Sequence, residues 1–156
     1  MAVQNPPEGY RAVTPYLVMD DSAAAIEFYR KVFGAVELFR FEHDGRIGHA
    51  ELQIGDSRIM LSDAWPEYGY RSAREIGATP VSLMLYVPDV DEVFARAIAA
   101  GATERSPIQD QFYGDRTGNL TDPFGHQWTI GTHVKEVPVE DMQRLFRESM
   151  AEMGAQ

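Results

Sequence analysis

The chain contains the same arrangement of elements twice, and this internal repeat limits its fold more than any other feature. In the first half a short apolar stretch, Val13 to Met19, precedes a helical pattern from Asp21 to Phe33 with Ile26, Tyr29, Val32 and Phe33 at helical spacing. Gly34 ends that helix, and three strand-like stretches follow: Val36 to Phe41, Ile47 to Ile54 and Arg58 to Ser62. Asp44-Gly45 and Gly55-Asp56 are the turn signals between them. The second half begins with a strand from Val81 to Val87. Asp89 then caps a helix, with Glu92 three residues on and Val90, Val93, Phe94, Ala97 and Ile98 on its buried stripe. After Gly101 come strand-like stretches at Thr103 to Ser106, Gly118 to Thr121 and Gln127 to Thr132. Asp21 matches Asp89, and Phe33-Gly34-Ala35 matches Ala100-Gly101-Ala102. Two βαβββ modules explain this order better than one irregular sheet.

The expected architecture is α+β: tandem βαβββ modules forming a curved mixed sheet around a cleft, with the helices on the outer face. Module 1 covers about 12–64, a linker 65–79, and module 2 about 80–134, making one domain over 1–134; a helical extension fills 135–156. That extension starts at Pro138 and carries Met142, Leu145, Phe146 and Met150 broadly on one face. The linker, rich in Trp65, Pro66, Tyr68, Gly69 and Tyr70, reads equally well as a surface loop and as a lid.

Strand alternation divides each strand into two faces. Ala50, Leu52, Ile54, Ile59, Leu61, Val81, Leu83, Leu85, Val87, Trp128 and Ile130 form apolar faces to be covered by the helices. The opposite faces hold His49, Glu51, Gln53, Arg58, Met60, Ser82, Met84, Tyr86 and Thr129. Methionine and tyrosine are costly to leave wet, so this mixed face is read as the wall of a cleft.

Composition excludes several functions. There is no cysteine, so no disulfide framework, thiolate zinc site or thiol nucleophile exists. A formal charge of −10 argues against nucleic acid, whose binding rests on Lys and Arg at phosphates. No long apolar run suggests a membrane span, and the polar, proline-bearing start lacks the features of a secretory signal, so a cytoplasmic protein is expected. No phosphate-binding glycine loop and no Ser–His–Asp set stands out.

Several phrases resemble a known family. Phe28-Tyr29 before Phe33-Gly34-Ala35, Tyr86-Val87-Pro88-Asp89-Val90-Asp91, and Asp122-Pro123-Phe124-Gly125-His126-Gln127-Trp128 look like the vicinal oxygen chelate superfamily of glyoxalases, extradiol dioxygenases and bleomycin resistance proteins. Thr14-Pro15-Tyr16-Leu17 and His49-Ala50-Glu51-Leu52 are closer to its PhnB-like branch. The resemblance implies a divalent metal held by His, Gln or Glu from the first and last strand of each module. Here those positions fall on Thr14, Ser82, about Met60, and Thr129, none a good transition-metal ligand. His49 and Glu51 share a face and are the best substitute pair, but a third ligand is lacking. Glu51 paired with Arg58 across the cleft is the plain structural alternative.

The resulting expectation is a protein without metal or other cofactor, binding a planar or cationic small molecule through Tyr16, Met60, Ser82, Met84, Tyr86, Arg58, Asn119 and Thr129. Trp65, Tyr68, Phe112 and Tyr113 would stand at the mouth. The alternative is an enzyme, a glyoxalase-like lyase or isomerase or a dioxygenase-like protein, using His49 and Glu51 with or without a divalent metal. A homodimer is expected, since the apolar face of the C-terminal helix would be a liability on a monomer.

Overall fold

A computed structural model describes residues 2–155; Met1 and Gln156, the ends of the expected domain and extension, lie outside the described residues. The first repeat forms β1 (Tyr16–Met19), α1 (Ser22–Phe33), β2 (Val36–His43), β3 (Arg46–Ile54) and β4 (Ser57–Asp63). After a 3-10 turn at Pro66–Tyr68 and the one-turn helix α2 (Ala73–Ile76), the second repeat forms β5 (Ser82–Tyr86), α3 (Val90–Ala99), β6 (Thr103–Asp110), β7 (Asp115–Thr121) and β8 (Gln127–His133). The helix α4 (Val139–Gly154) completes the chain. The tandem βαβββ arrangement is therefore present, with two four-stranded mixed sheets, ordered β1-β4-β3-β2 and β5-β8-β7-β6, in place of one continuous sheet. In each half the first and last strands run parallel and the other pairs antiparallel.

Local chemistry sets the element ends. The Asp21 carboxylate accepts from the Ala24 amide at the start of α1, and Asp89 accepts from Glu92 at the start of α3. Gly34 ends α1 in the left-handed region, its amide donating to the Tyr29 carbonyl. Asp44 and Gly45 both have positive φ, as a tight β2–β3 hairpin requires.

The alternation read from sequence is physical. Ala50, Leu52, Ile54, Ile59 and Leu61 are buried with Ala25, Ile26, Tyr29 and Val32 of α1, while Trp128 and Ile130 are buried with Val93, Phe94 and Ala97 of α3. One hydrophobic cluster spans both modules. It is joined by Phe28 against Phe124 and by Tyr29 and Phe33 against Trp128. The β5 face is less buried than its sequence suggests. Val81 is exposed and Leu83 and Leu85 only half-buried, because β5 pairs with β8 alone and its other edge borders a crevice. Similarly, β1 begins at Tyr16 rather than Val13, and Val13 is exposed.

The linker is more ordered than a plain loop: Trp65 and Tyr70 bridge as isolated β partners, and Ser72 caps α2. No helix is long and apolar enough to cross a membrane among the described residues.

Candidate functional site

Three depressions lie along the two sheets, the first two of them sharing Arg11 and Thr14. A crevice of about 290 Å³ runs between the sheets, with Thr14, Arg58 and Ile59 on one side and Met84, Tyr86 and Trp128 on the other. Thr14 and Arg11 also line a second depression, walled by Glu51, Met60 and Phe39 and covered by Pro6, Pro7 and Tyr10. Beyond Tyr16 a third is lined by Gly48, Ser62, Trp65 and Tyr70.

Register explains the first-module wall. Tyr16 on β1 is level with Met60 on β4, Met60 with Glu51 on β3, and Glu51 with Phe39 on β2, so all four project from one face. Phe41 is level with His49 in the same way. The rings of Phe39, Phe41 and His49 lie within 5.3 to 6.0 Å of one another, forming an aromatic platform with Phe41 64% exposed.

A hydrogen-bonded chain runs through this wall. The Tyr16 hydroxyl bonds His49 Nδ1 at 2.9 Å, and His49 Nε2 bonds Glu51 Oε1 at 2.9 Å. Glu51 is only 6% exposed, and its Oε2 has no hydrogen-bond partner among the described residues. Burial raises the Glu51 carboxyl above its ordinary value, with Arg58 partly opposing it, and burial also lowers His49. Both shifts act against charge on these two groups.

Arg58 is not the partner of Glu51. Its Nε donates to Gln53 Oε1 at 3.0 Å and its Nη1 to the Glu8 carbonyl at 3.2 Å, while its guanidinium lies 4.4 Å from the centre of the Tyr10 ring. The N-terminal segment thus closes over the wall and occupies the arginine that sequence alternation offers to Glu51. No signal of periodicity marks residues 5–12 as part of a site; Tyr10 among prolines and glycine was the available hint.

The second-module wall divides in two. Near the crevice, Met84 lies level with Thr129, whose hydroxyl donates to Asn119 Oδ1, and Asn119 Nδ2 donates to Ser106. Ser82 is exposed beside them on β5. At the other end, the Tyr86 hydroxyl donates to Asp115 Oδ2 at 2.7 Å, and Asp115 Oδ1 lies 2.7 Å from His133 Nδ1. Asp115 is buried and raises both Tyr86 and His133, with Tyr113 adding to the first and Glu136 to the second. Sequence reading passed over Asp115, although Asp115, Thr117 and Asn119 alternate on one face of β7.

Of the residues expected at the mouth, Trp65 sits beside Tyr16 with the Arg46 guanidinium 3.5 Å over its ring. Tyr68 is exposed on the linker. Tyr113 packs edge-on against Phe112, and Phe112 meets Phe146 of α4, so this pair stands at the C-terminal end of the second wall.

The four positions at which the family would hold a metal carry two hydroxyls from β8 and β5, the Thr14 hydroxyl and the Met60 thioether. That donor set does not fit a divalent transition metal. Among the described residues no three His, Asp or Glu side chains gather into a metal-binding group. His49 and Glu51 are bonded to one another and supply only two donors.

Comparison with known proteins gives a consistent result. The sequence profile of the Glyoxalase/Bleomycin resistance protein/Dioxygenase superfamily matches residues 12–130. An uncharacterized protein of Mycobacterium tuberculosis is 46% identical over 136 residues, covering 85% of this chain and 80% of its own length. The protein YjdN of Escherichia coli K12 is 28% identical over 150 residues, covering 82% of this chain and 99% of its own. Among solved structures, TioX from Micromonospora sp. ML1 matches with a TM-score of 0.64 and 30% identity, over 80% of this chain and 99% of that one. A PhnB protein from Bacillus cereus shares the fold at a TM-score of 0.64 and 18% identity, over 78% of this chain and 99% of that one. The chain belongs to the Glyoxalase/Bleomycin resistance protein/Dioxygenase superfamily.

Proposed function

We propose that the protein binds a planar or cationic small molecule in the cleft between its two sheets, without a metal or other cofactor. The observation that carries this reading is the outward presentation of large apolar groups on the cleft walls: Tyr16, Phe39, Phe41, Met84 and Tyr86 are 40 to 64% exposed. Aromatic and thioether surfaces adapt to flat ligands, and exposing them together is unfavourable without something to cover them. The superfamily includes bleomycin resistance proteins beside its glyoxalases and dioxygenases, so a binding role has precedent on this fold. The same consideration supports a homodimer, in which a second copy covers the exposed side chains of α4.

A second reading is metal-free acid–base chemistry. It is favoured by Glu51, a cleft carboxyl raised by burial. His49 is poorly placed to act as the base, because both of its ring nitrogens are already engaged. Glu51 would carry the proton in that case.

The test is a fluorescence screen of planar and cationic compounds, read by quenching of Trp65 and Trp128 together, followed by titration of Tyr86→Ala and Glu51→Gln. Binding should weaken in Tyr86→Ala for planar compounds, since ring contacts contribute about 1 kcal/mol beyond area burial. Compounds that bind both variants as tightly as the parent protein would show that the cleft is not their site.

A further inference from the structure

Glu51 is the one acidic side chain of the first wall that is both buried and incompletely bonded. Its Oε1 is held by His49, but its Oε2 has no partner among the described residues and is buried. Buried carboxylate oxygens are normally satisfied, because an unpaired one loses its hydration without compensation. The depression that Glu51 lines is apolar at Met60, Phe39, Pro6 and Pro7 and polar at Asn5, Arg11 and Thr14. Arg11 lines the same depression without bonding the carboxylate, and Arg58 is committed to Gln53 and Glu8. Neither of these two arginines satisfies Oε2.

We infer that this depression is a site for a primary or secondary ammonium group carrying an aromatic or apolar body, with Glu51 Oε2 accepting its N–H. The inference rests on the cleft-binding reading and narrows it to one head group. An ammonium nitrogen with at least one hydrogen supplies both charge and the missing donor. A quaternary ammonium supplies charge alone, and an alcohol a donor alone. The apolar body would lie on Met60 and Phe39, continuing toward the platform of Phe41 and His49. Enclosure strengthens the contact, because charge-assisted hydrogen bonds gain where water is excluded.

The N-terminal segment is the roof of this site. Pro6, Pro7 and Tyr10 lie over it, and Arg58 fastens them through the Glu8 carbonyl and the Tyr10 ring. Gly9 lies against the Arg58 guanidinium with φ at +82°, in the left-handed region that favours glycine, so the clasp is built around glycine. Entry of the amine requires the segment to lift and reclose.

The test compares 2-phenylethylamine, 2-phenylethanol and (2-phenylethyl)trimethylammonium by calorimetry on the full chain. The amine should bind about tenfold or more tightly than either analogue, and Glu51→Gln, which keeps the shape and the His49 contact, should abolish that preference. Loosening the roof with Arg58→Gln should weaken the amine while leaving Glu51 in place. Equal binding of the three compounds, or a preference that persists in Glu51→Gln, overturns the amine site while leaving cleft binding intact. No binding of the amine alongside screened ligands that respond to Tyr86→Ala overturns it equally. Absence of any cleft ligand removes both this inference and the reading beneath it.

Discussion

The hydroxyl of Tyr29 in the first module donates to the carboxylate of Asp122 in the second at 2.5 Å, across 93 positions of sequence. The same Asp122 oxygen accepts from Trp128 Nε1 at 2.9 Å, and its other oxygen accepts from the amides of Phe124 and His126. Tyr29 is fully buried and its ionisation is pushed well up, first by burial and then by the adjacent carboxylate. One buried acid therefore holds the Asp122–Gly125 turn and ties it to α1.

Tyr29→Phe removes one of these donors and should cost about 1–2 kcal/mol. Asp122→Ala leaves several buried donors unsatisfied and should cost about 3 kcal/mol or more. Urea denaturation of the two variants checks this. Near-equal stability of Asp122→Ala and the parent chain would show that the network does not hold the modules together.

Which parts of this arrangement were legible in advance follows from the range of each interaction. The helix caps at Asp21 and Asp89, the turn at Asp44-Gly45 and the apolar faces of β3, β4 and β8 are local, and alternation or spacing reveals them. His49 and Glu51 were visible as a pair because they are two residues apart on one strand. The Tyr16–His49 bond, the Asp115–His133 contact and the Arg58–Glu8 clasp join distant strands or a segment without periodicity. Alternation placed Arg58 opposite Glu51 correctly as to face, but the N-terminal segment competes for the guanidinium, and no spacing rule registers that competition.

His133 yields a pH dependence. Its hydrogen bonds to Asp115 and Glu136 raise it above the ordinary 6.5, so the folded state holds the proton more tightly than the unfolded chain. This contribution is complete below the unfolded value and fades as pH rises through the raised one. The melting-temperature difference between the parent chain and His133→Gln should therefore shrink from about pH 6 to about pH 9. A difference that stays constant or grows over that range contradicts the assignment.

Metal content separates the binding reading from metal-dependent chemistry. Protein purified without chelator should contain no stoichiometric Zn, Ni, Mn or Fe by elemental analysis, because no adequate donor set is gathered in the cleft. About one metal per chain, lost on mutating His49 or Glu51, would refute this.

Assembly is tested through α4. None of its residues is fully buried, and Val139, Phe146, Met150 and Met153 are exposed. Isolated helices of this length are marginal in water, so a partner surface should stabilise it. Sedimentation at micromolar concentration should give a dimer, and Phe146→Asp should shift it toward monomer. A parent chain sedimenting only at 17.5 kDa contradicts the expectation.

Methionine methyl NMR tests the cleft most directly. Met60 lines the depression of Glu51 and Met84 the crevice between the sheets, whereas Met142, Met150 and Met153 lie on α4. A planar cation taken from the screen should shift the Met60 and Met84 methyl signals together, saturating at one ligand concentration, and leave the α4 signals unmoved. A ligand that saturates while shifting only the α4 methionines, or neither cleft methionine, would contradict binding between the two sheets.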